Sequence, residues 1–400
     1  MPAVFVHRSF ALLWAARVLS TLAFHVQAVA VGWQLYELTG SALDLGLVGL
    51  VQFVPMVLLT LAAGQAADRY DRRGILIACQ VVKGAAAAAL ALGTAGGWLG
   101  RESILATMAV VGAARMFETP TLAALVSDVV PRPLIAPAAA WSISANQTAR
   151  IVGPAVGGLV YGLSPTATYV TIAALVIVAA LGAALIRGER AVREREPVTL
   201  ETVFSGVAFI RNRPVLLGTM SLDLFAVLLG GATALLPIYA RDILGTDPIG
   251  LGLLRSAPAV GALAMSILLA RRPFERRVGR TLFRAVIVFG MATVAFGLST
   301  NLVLSLVALA VLGASDVVSV VIRFSLVQIR TPDAMRGRVS AVHSLFTGTS
   351  NQLGEFESGL AAALFGPVPA VLIGGLGTIA VAALWMHLFP ELRRIRAFEE

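Results

Sequence analysis

One cysteine, Cys79, and one lysine, Lys83, stand in a chain of 400 residues. A single thiol excludes an internal disulfide and a cysteine-rich metal site. The four histidines are dispersed at 7, 25, 343 and 387, so no metal-ligand cluster forms from them. No G-x-x-x-x-G-K-[ST] segment occurs, which argues against ATP-driven work on that phosphate loop. No nucleophile–base arrangement of an enzyme and no soluble signalling domain is visible, so neither a metal nor a cofactor is expected. Charge is scarce as well: 13% of residues are charged, where a globular protein carries about a quarter.

What fills the chain is apolar sequence, with 58% hydrophobic residues. A bilayer-spanning helix needs roughly 20 apolar residues. Such runs lie near 9–36, 42–67, 74–97, 103–126, 136–163 and 166–187, then near 214–240, 248–270, 281–300, 302–329, 337–363 and 367–389. They predict an all-α polytopic membrane protein with twelve transmembrane helices. The first run is too long for a signal peptide and lacks a small-residue cleavage site, so it reads as a retained first helix. The net charge of +9 does not point to nucleic acid, because the basic residues sit in loops between the runs. Arginine supplies nearly all of that charge, as a GC-rich bacterial genome would encode it.

The arginines fix the topology. The loops after even-numbered runs hold Arg69, Arg72, Arg73, Arg132, Arg190, Arg193, Arg195, Arg271, Arg272, Arg276, Arg277, Arg330 and Arg336, and the tail holds Arg393, Arg394 and Arg396. The opposite loops carry little beyond Arg101 and Arg241. Positive charge stays inside, so both termini are expected in the cytoplasm, the chain lying in a bacterial inner membrane. The expected organisation is an N-terminal six-helix bundle over 1–187, a linker over 188–213 and a C-terminal bundle with a short tail over 214–400. Leu200, Val203, Phe204, Val207 and Ile210 recur at helical spacing within the linker. They form either an amphipathic helix on the inner membrane surface or an extension of the seventh run.

The halves match one another sparsely. Gly49-Leu50 meets Gly252-Leu253 and Pro55 meets Pro258 at one common shift, while Pro131, Gly153 and Gly158 meet Pro332, Gly354 and Gly359 at nearly the same shift. Two pseudo-symmetric six-helix halves about an axis along the membrane normal suit alternating access to a site between them.

The stretch Gly64-x-x-x-Asp68-Arg69-x-Asp71-Arg72-Arg73 closes the second run. Glycine allows close helix contact and the arginines hold a tight inner turn. The pattern resembles the signature between helices 2 and 3 of the major facilitator superfamily, and the whole chain is consistent with that fold. The resemblance implies that Asp68 and Arg72 form a cytoplasmic latch for one conformational state. In the fifth run, Ala149-Arg150-x-x-Gly153-Pro154-x-x-Gly157-Gly158 is similar to the superfamily's antiporter pattern, with Ala149 at its first glycine. There proline bends the helix and glycines admit a neighbour. Arg115 resembles the superfamily's proton-transfer arginine, although Thr119 stands where the pattern has glycine. Gly354-Glu355-Phe356-Glu357-Ser358-Gly359 in the eleventh run, and Leu222-Asp223 with its following apolar run, resemble the siderophore-exporter branch.

Charge within the bilayer costs at least roughly 2.5–3.5 kcal/mol by insertion scales, so it has a partner or a wet cavity. Arg17, His25, Arg115, Glu118, Arg150, Asp223, Arg255, Asp316, Arg323, Glu355 and Glu357 all fall inside runs. Arg115 and Glu118 are three apart and can pair locally. Glu355 and Glu357 are two apart and point to nearly opposite sides, so they cannot act as one dyad. In the superfamily helices 1, 4, 7 and 10 line the cavity, which makes Arg17, Arg115, Glu118, Asp223, Asp316 and Arg323 the implied cavity residues. Asp223 and Glu355 lead the candidates for carrying a proton, with Glu118 and Asp316 behind them; for each, a buried ion pair that merely holds helices together stands as the other reading. His25 is open to titration or to a helix–helix hydrogen bond. Trp33, Tyr36, Trp98 and Tyr239 lie near outer helix ends, as an interfacial aromatic belt would.

The implied activity is secondary active transport: a proton-coupled exporter, an antiporter of a small organic molecule such as a siderophore or drug. Two other transport readings stay open, a lipid or lysolipid flippase and a proton-coupled importer of the same fold. The expected partners are the small-molecule substrate, protons and membrane lipid, with the protein a monomer.

Overall fold

The computed structural model describes residues 3–186, 200–271 and 277–397; the side chains at 61, 68, 200–203 and 334, and that of Ala3, lie outside the described set. No strand occurs among the described residues. Six long helices come first: α1 (Arg8–Thr39), α2 (Ala42–Arg69), α3 (Arg72–Ala95), α4 (Arg101–Val129), α5 (Ile135–Leu163) and α6 (Pro165–Ala184). A short α7 (Leu200–Arg211) precedes α8 (Pro214–Leu229), which continues through a single turn, α9 (Leu236–Ile238). Then follow α10 (Pro248–Arg271), α11 (Val278–Leu298), α12 (Leu302–Arg330), α13 (Asp333–Phe365), α14 (Pro367–Leu388) and a terminal turn, α15 (Pro390–Arg394). The long helices coincide with the twelve apolar runs to within a few residues. Ten spans among the described residues are long and apolar enough to cross a membrane, one of them running from Pro214 to Ile243. α5 and α13 fall outside that criterion. α13 carries Asp333, Arg336, Arg338, Glu355 and Glu357, and α5 carries Asn146, Gln147 and Arg150. The chain is a multi-pass membrane protein.

Helix ends are set by local chemistry. Asp71 caps α3, its carboxylate accepting from the Arg73 and Gly74 amides at 3.2 and 3.0 Å. Asn301 caps α12 in the same way through Val303 and Leu304, at 2.9 and 3.1 Å. Such caps satisfy amides that the first helical turn leaves without partners. Gly40 ends α1 in the left-handed region at φ 60°, which an L side chain adopts only with strain.

The chain forms two compact units. The first takes Met1–Gly40, Val51–Val198 and Thr246–Ser256, and the second takes Ser41–Leu50, Thr199–Gly245 and Ala257–Glu400. Phe10, Leu13, Leu76, Leu125 and Ile186 are central to a core of the first. Leu222, Phe283, Val286, Ile322 and Trp385 belong to one in the second. Large apolar side chains such as Leu58, Leu163, Leu181, Leu298 and Leu364 stay exposed, as lipid-facing residues do.

α7 is a separate helix rather than an extension of the seventh span, since the helix is interrupted at Asn212 and Arg213. Ile210 is buried, whereas Phe204 and Val207 are exposed. Gly206 faces α13, where an added methyl would sit 2.9 Å from the Val342 side chain. The predicted stripe therefore splits, one face on α13 and one outward. Of the aromatics expected in a belt, Trp98 is exposed, whereas Tyr36 and Tyr239 are buried, and Tyr239 donates to the Gly297 carbonyl at 3.1 Å.

Within lipid, small residues let helix backbones meet. A methyl at Gly313 would collide with the Pro258 carbonyl, and one at Gly261 with the Ala310 carbonyl, so α10 and α12 touch backbone to backbone. Gly313→Ala is expected to lower stability by about 1–3 kcal/mol, read as the thermal unfolding midpoint in detergent. An unchanged midpoint would mean this seam yields freely.

The internal repeat is visible as packing. In the second unit Gly46 lies against Gly359, and Gly49 against Gln352 and Glu355. In the first, Gly158 lies against Ile249 and Gly252 against Pro154. The repeat shift converts one set of contacts into the other.

Candidate functional site

The sole lysine sits at the centre of the first unit's polar core. Lys83 on α3 and Glu118 on α4 are 7% and 5% exposed. Lys83 Nζ lies 2.6 Å from Glu118 Oε2. Ser20 Oγ on α1 and Gln80 Nε2 on α3 donate to Glu118 Oε1, at 2.5 and 2.8 Å. Lys83 also donates to Ser20 Oγ. Three helices are thus tied by one carboxylate whose oxygens are both occupied. Lys83 makes the close ion pair with Glu118, and the Arg115 charge also acts on that carboxylate. The Arg115 guanidinium lies over the Phe24 ring, 3.5 Å from its centroid, an arrangement that favours a cation. Arg17 is half-buried within the field of Glu118.

The second unit holds a different pair. Arg323 on α12 is buried and ion-paired with Asp223 on α8. Its other terminal nitrogen is 3.8 Å from Asp316, whose side chain is 44% exposed. Thr347 Oγ1 on α13 donates to Asp223 Oδ2 at 3.3 Å, and the charges of both Asp223 and Arg323 reach His343. Asp316 and Arg323 are seven residues apart, two turns along one helix face. Arg323 is therefore a cation set between two carboxylates, one sealed and one half-open. Asp316, Ser319 and Arg323 line a small pocket with Ala226, Val227 and Phe289.

The cytoplasmic-turn motif is divided among several tasks. Arg72 makes a two-pronged contact with Asp128 at 3.0 and 2.8 Å and also donates to the Ala67 carbonyl at 3.0 Å. This ties the α2–α3 turn to the end of α4: Arg72 Nη1 serves both Asp128 oxygens while its Nε serves the Ala67 carbonyl, two nitrogens of one planar group aimed at two acceptors. Arg73 donates to the Ala184 carbonyl at the end of α6. Asp71 is the cap described above, and Arg69 is exposed. The Asp68 side chain, expected in the latch, lies outside the described residues, as do most of the C-terminal counterpart at 272–276 and the linker arginines. An added methyl at Gly64 would meet nothing within 4 Å.

The fifth-helix motif faces two neighbours. A methyl on Gly153 would sit 2.5 Å from His25 Cβ, and one on Gly157 would sit 3.0 Å from Val26 Cα, so these glycines seat α5 on α1. Gly158 turns the other way, onto Pro248 and Gly252 at the start of α10. The Pro154 carbonyl packs against Gly252, where a methyl would collide with it, and Ser256 Oγ donates to the Ile151 carbonyl at 2.7 Å. Arg150 is exposed one turn earlier. In α13, Gly354 lies against Val227 and Leu228 of α8, and Glu355 is half-buried beside Gly49. Glu357 accepts from Ser358 Oγ at 3.3 Å, and Gly359 rests on Gly46.

The structure thus joins Asp223, Arg323 and Asp316, and it joins Glu118 with Lys83, Ser20 and Gln80. Sequence reading missed Lys83, Gln80, Ser20, Asp128 and Thr347. Two signals were available: a lone lysine inside an apolar run, and an aspartate in the last turn of the fourth helix.

Known proteins agree with this architecture. The family profile described as transmembrane secretion effector matches residues 2–399. The enterobactin exporter EntS of Shigella flexneri is 24% identical over 98% of this chain and 94% of its own length. That of Citrobacter koseri is 24% identical over the same shares. Among solved structures, the nucleoside transporter NupG superposes with a TM-score of 0.72 at 14% identity, covering 95% of this chain and 99% of its own. A bacterial homologue of the iron transporter ferroportin gives 0.71 at 17% identity, with 97% and 99% covered. These structures share the fold. The chain belongs to the transmembrane secretion effector family of the major facilitator superfamily.

Proposed function

We propose that this transporter is a proton-coupled exporter of a small organic molecule, an antiporter working by alternating access in a bacterial inner membrane. The observation that carries the reading is Arg323 set between buried Asp223 and half-exposed Asp316. A proton arriving on Asp223 would neutralise it and release Arg323 toward Asp316. A cation that changes partners within an apolar bundle biases a two-state equilibrium, because each partner is favoured in one state. Glu355, beside Gly49, is a second place for a proton; Glu118 is less suited, since Lys83, Ser20 and Gln80 hold it charged. The similarity to exporters named for enterobactin supports outward movement of an organic cargo such as a siderophore or drug. In this reading residues 1–187 and 214–400 are the rocking halves, joined through 188–213 on the cytoplasmic side with both termini, and the monomer is the working unit. Gly64 and residues 68–73 form the cytoplasmic gate, with Arg72 as its anchor.

Inside-out vesicles containing the protein are expected to accumulate a siderophore or drug substrate only under a proton gradient. Accumulation that survives a protonophore would rule out the coupling.

A further inference from the structure

Ser319 carries an oxygen that the bundle leaves over. It is 3% exposed, and its hydroxyl has no hydrogen-bond partner among the described residues. It lies on α12 three residues after Asp316 and four before Arg323, so the three share one helix face. All three line the second unit's pocket, walled by Ala226, Val227 and Phe289. The pocket has room for about one water molecule. A water in such a place needs several polar partners. The Ser319 hydroxyl, the Asp316 carboxylate and the Arg323 guanidinium supply them, and a hydroxyl both donates and accepts.

The fold does not require that spare hydroxyl. Under the repeat shift that sets Gly153 on Gly354, Ser319 stands where Glu118 stands in the first half. There the oxygens are taken by Lys83, Ser20 and Gln80. In the second unit the same position opens on a pocket beside Arg323.

Exposure gives the pocket a direction. The Asp223 and Arg323 side chains are 8% and 5% exposed, and that of Asp316 is 44% exposed. A half-exposed carboxylate within the bilayer has to meet water rather than lipid, so Asp316 is where a proton enters this group. Arg323 stands between the carboxylates and keeps its own proton, so it cannot pass one on. An oxygen path is needed around it. The other approach to Asp223 is from α13, which brings Thr347, a donor to Asp223 at 3.3 Å, and His343 one turn before it, within reach of the Asp223 charge. α14 meets α8 through Thr378 and Trp385, which carry no charge, and α11 brings only apolar groups to the pocket.

We infer that this pocket holds a water, fixed by Ser319, that carries the proton from Asp316 to Asp223. The Asp316 carboxyl gives its proton to the water, the water gives one of its own to an Asp223 oxygen, and the water is left unchanged. Arg323 leaves Asp223 for Asp316 in the same step, so the three groups stay neutral in sum and no net charge appears in the bundle. Ser319 positions the water and is not ionised. This inference rests on the proton-coupled reading and names the route of its ion.

The test uses the full-length protein in detergent, with the proton as the only ligand. Infrared difference spectra between alkaline and acidic pH are expected to show a water O–H stretch that shifts in heavy-oxygen water. The band should be absent in Ser319→Ala, which removes a single oxygen. After release of a caged proton, the carboxyl band of Asp223, identified by its loss in Asp223→Asn, should rise about tenfold or more slowly in Ser319→Ala and in Asp316→Asn than in the parent. No isotope-sensitive water band, a band that survives in Ser319→Ala, or a parental rate in that variant would overturn the route. Slowing by His343→Gln alone would give the proton to the α13 side and overturn it too. A parental rate in Ser319→Ala, beside accumulation that still needs a proton gradient, removes this inference and leaves the coupling reading standing. A water band and slowed transfer, beside accumulation that survives a protonophore, do the reverse.

Discussion

Lys83→Met is expected to destabilise the protein by about 3–5 kcal/mol, the usual cost of stripping one partner from a buried ion pair. The substitution conserves apolar volume but leaves Glu118, 5% exposed, with only Ser20 and Gln80 as its described hydrogen-bond donors. The network lies where α1, α3 and α4 meet, so the carboxylate loses its closest cation deep in the bundle. Glu118→Gln should cost less, since the amide keeps acceptor capacity for Ser20 and Gln80 while orphaning Lys83. The double variant Lys83→Met, Glu118→Gln removes both charges together and should recover most of the loss. Thermal unfolding of the four proteins in detergent gives the coupling directly. A wild-type midpoint for Lys83→Met would show that the pair contributes nothing to holding these helices together. Lys83→Arg is a sharper probe of space. Its wider fork must displace Ser20, so it should fall between the parent and the methionine variant.

Asp223→Asn is expected to slow proton-driven efflux by about tenfold or more, close to 1.4 kcal/mol or more in barrier, with a much smaller loss of stability. Asparagine keeps an acceptor for Thr347, and Arg323 keeps Asp316 at 3.8 Å. What disappears is a group able to gain and lose a proton. Glu355→Gln, measured beside it, distinguishes one proton carrier from two. Efflux into a proton gradient from proteoliposomes is the measurement. If both variants retain full proton-dependent efflux, neither carboxylate couples the ion.

Both results depend on pairings that the sequence could not supply. Helical spacing offered Arg115 as the neighbour of Glu118, three residues on, and that inference is sound for an isolated helix. In the bundle a cation 35 residues earlier takes the carboxylate. Which side chain reaches Glu118 depends on how α3 is rotated against α4. The apolar pattern constrains that rotation weakly, because these helices are hydrophobic on nearly every face. Asp223 and Arg323, 100 residues apart, were both legible as cavity candidates but not as partners. Asp71 shows the same limit on a smaller scale: the motif marked it as part of the gate, whereas its carboxylate serves the first turn of α3.

The sequence by itself determined the membrane class, the helix limits and the cytoplasmic-turn motif. A bilayer sets how long an apolar run must be, and the charges that bound each run cannot enter it, so 136–163 was read where Ile135–Leu163 stands. The twofold repeat was legible because its glycines and prolines mark backbone contacts that only such residues allow. Tertiary structure alone decided which charges meet. It gave Arg72 to Asp128, Lys83 to Glu118 and Arg323 to Asp223. Within lipid, helix packing is nearly indifferent to which apolar faces touch, so a few close-packed glycines set the rotations and the rotations choose the ion pairs. The Gly64–Arg73 turn identified the machine.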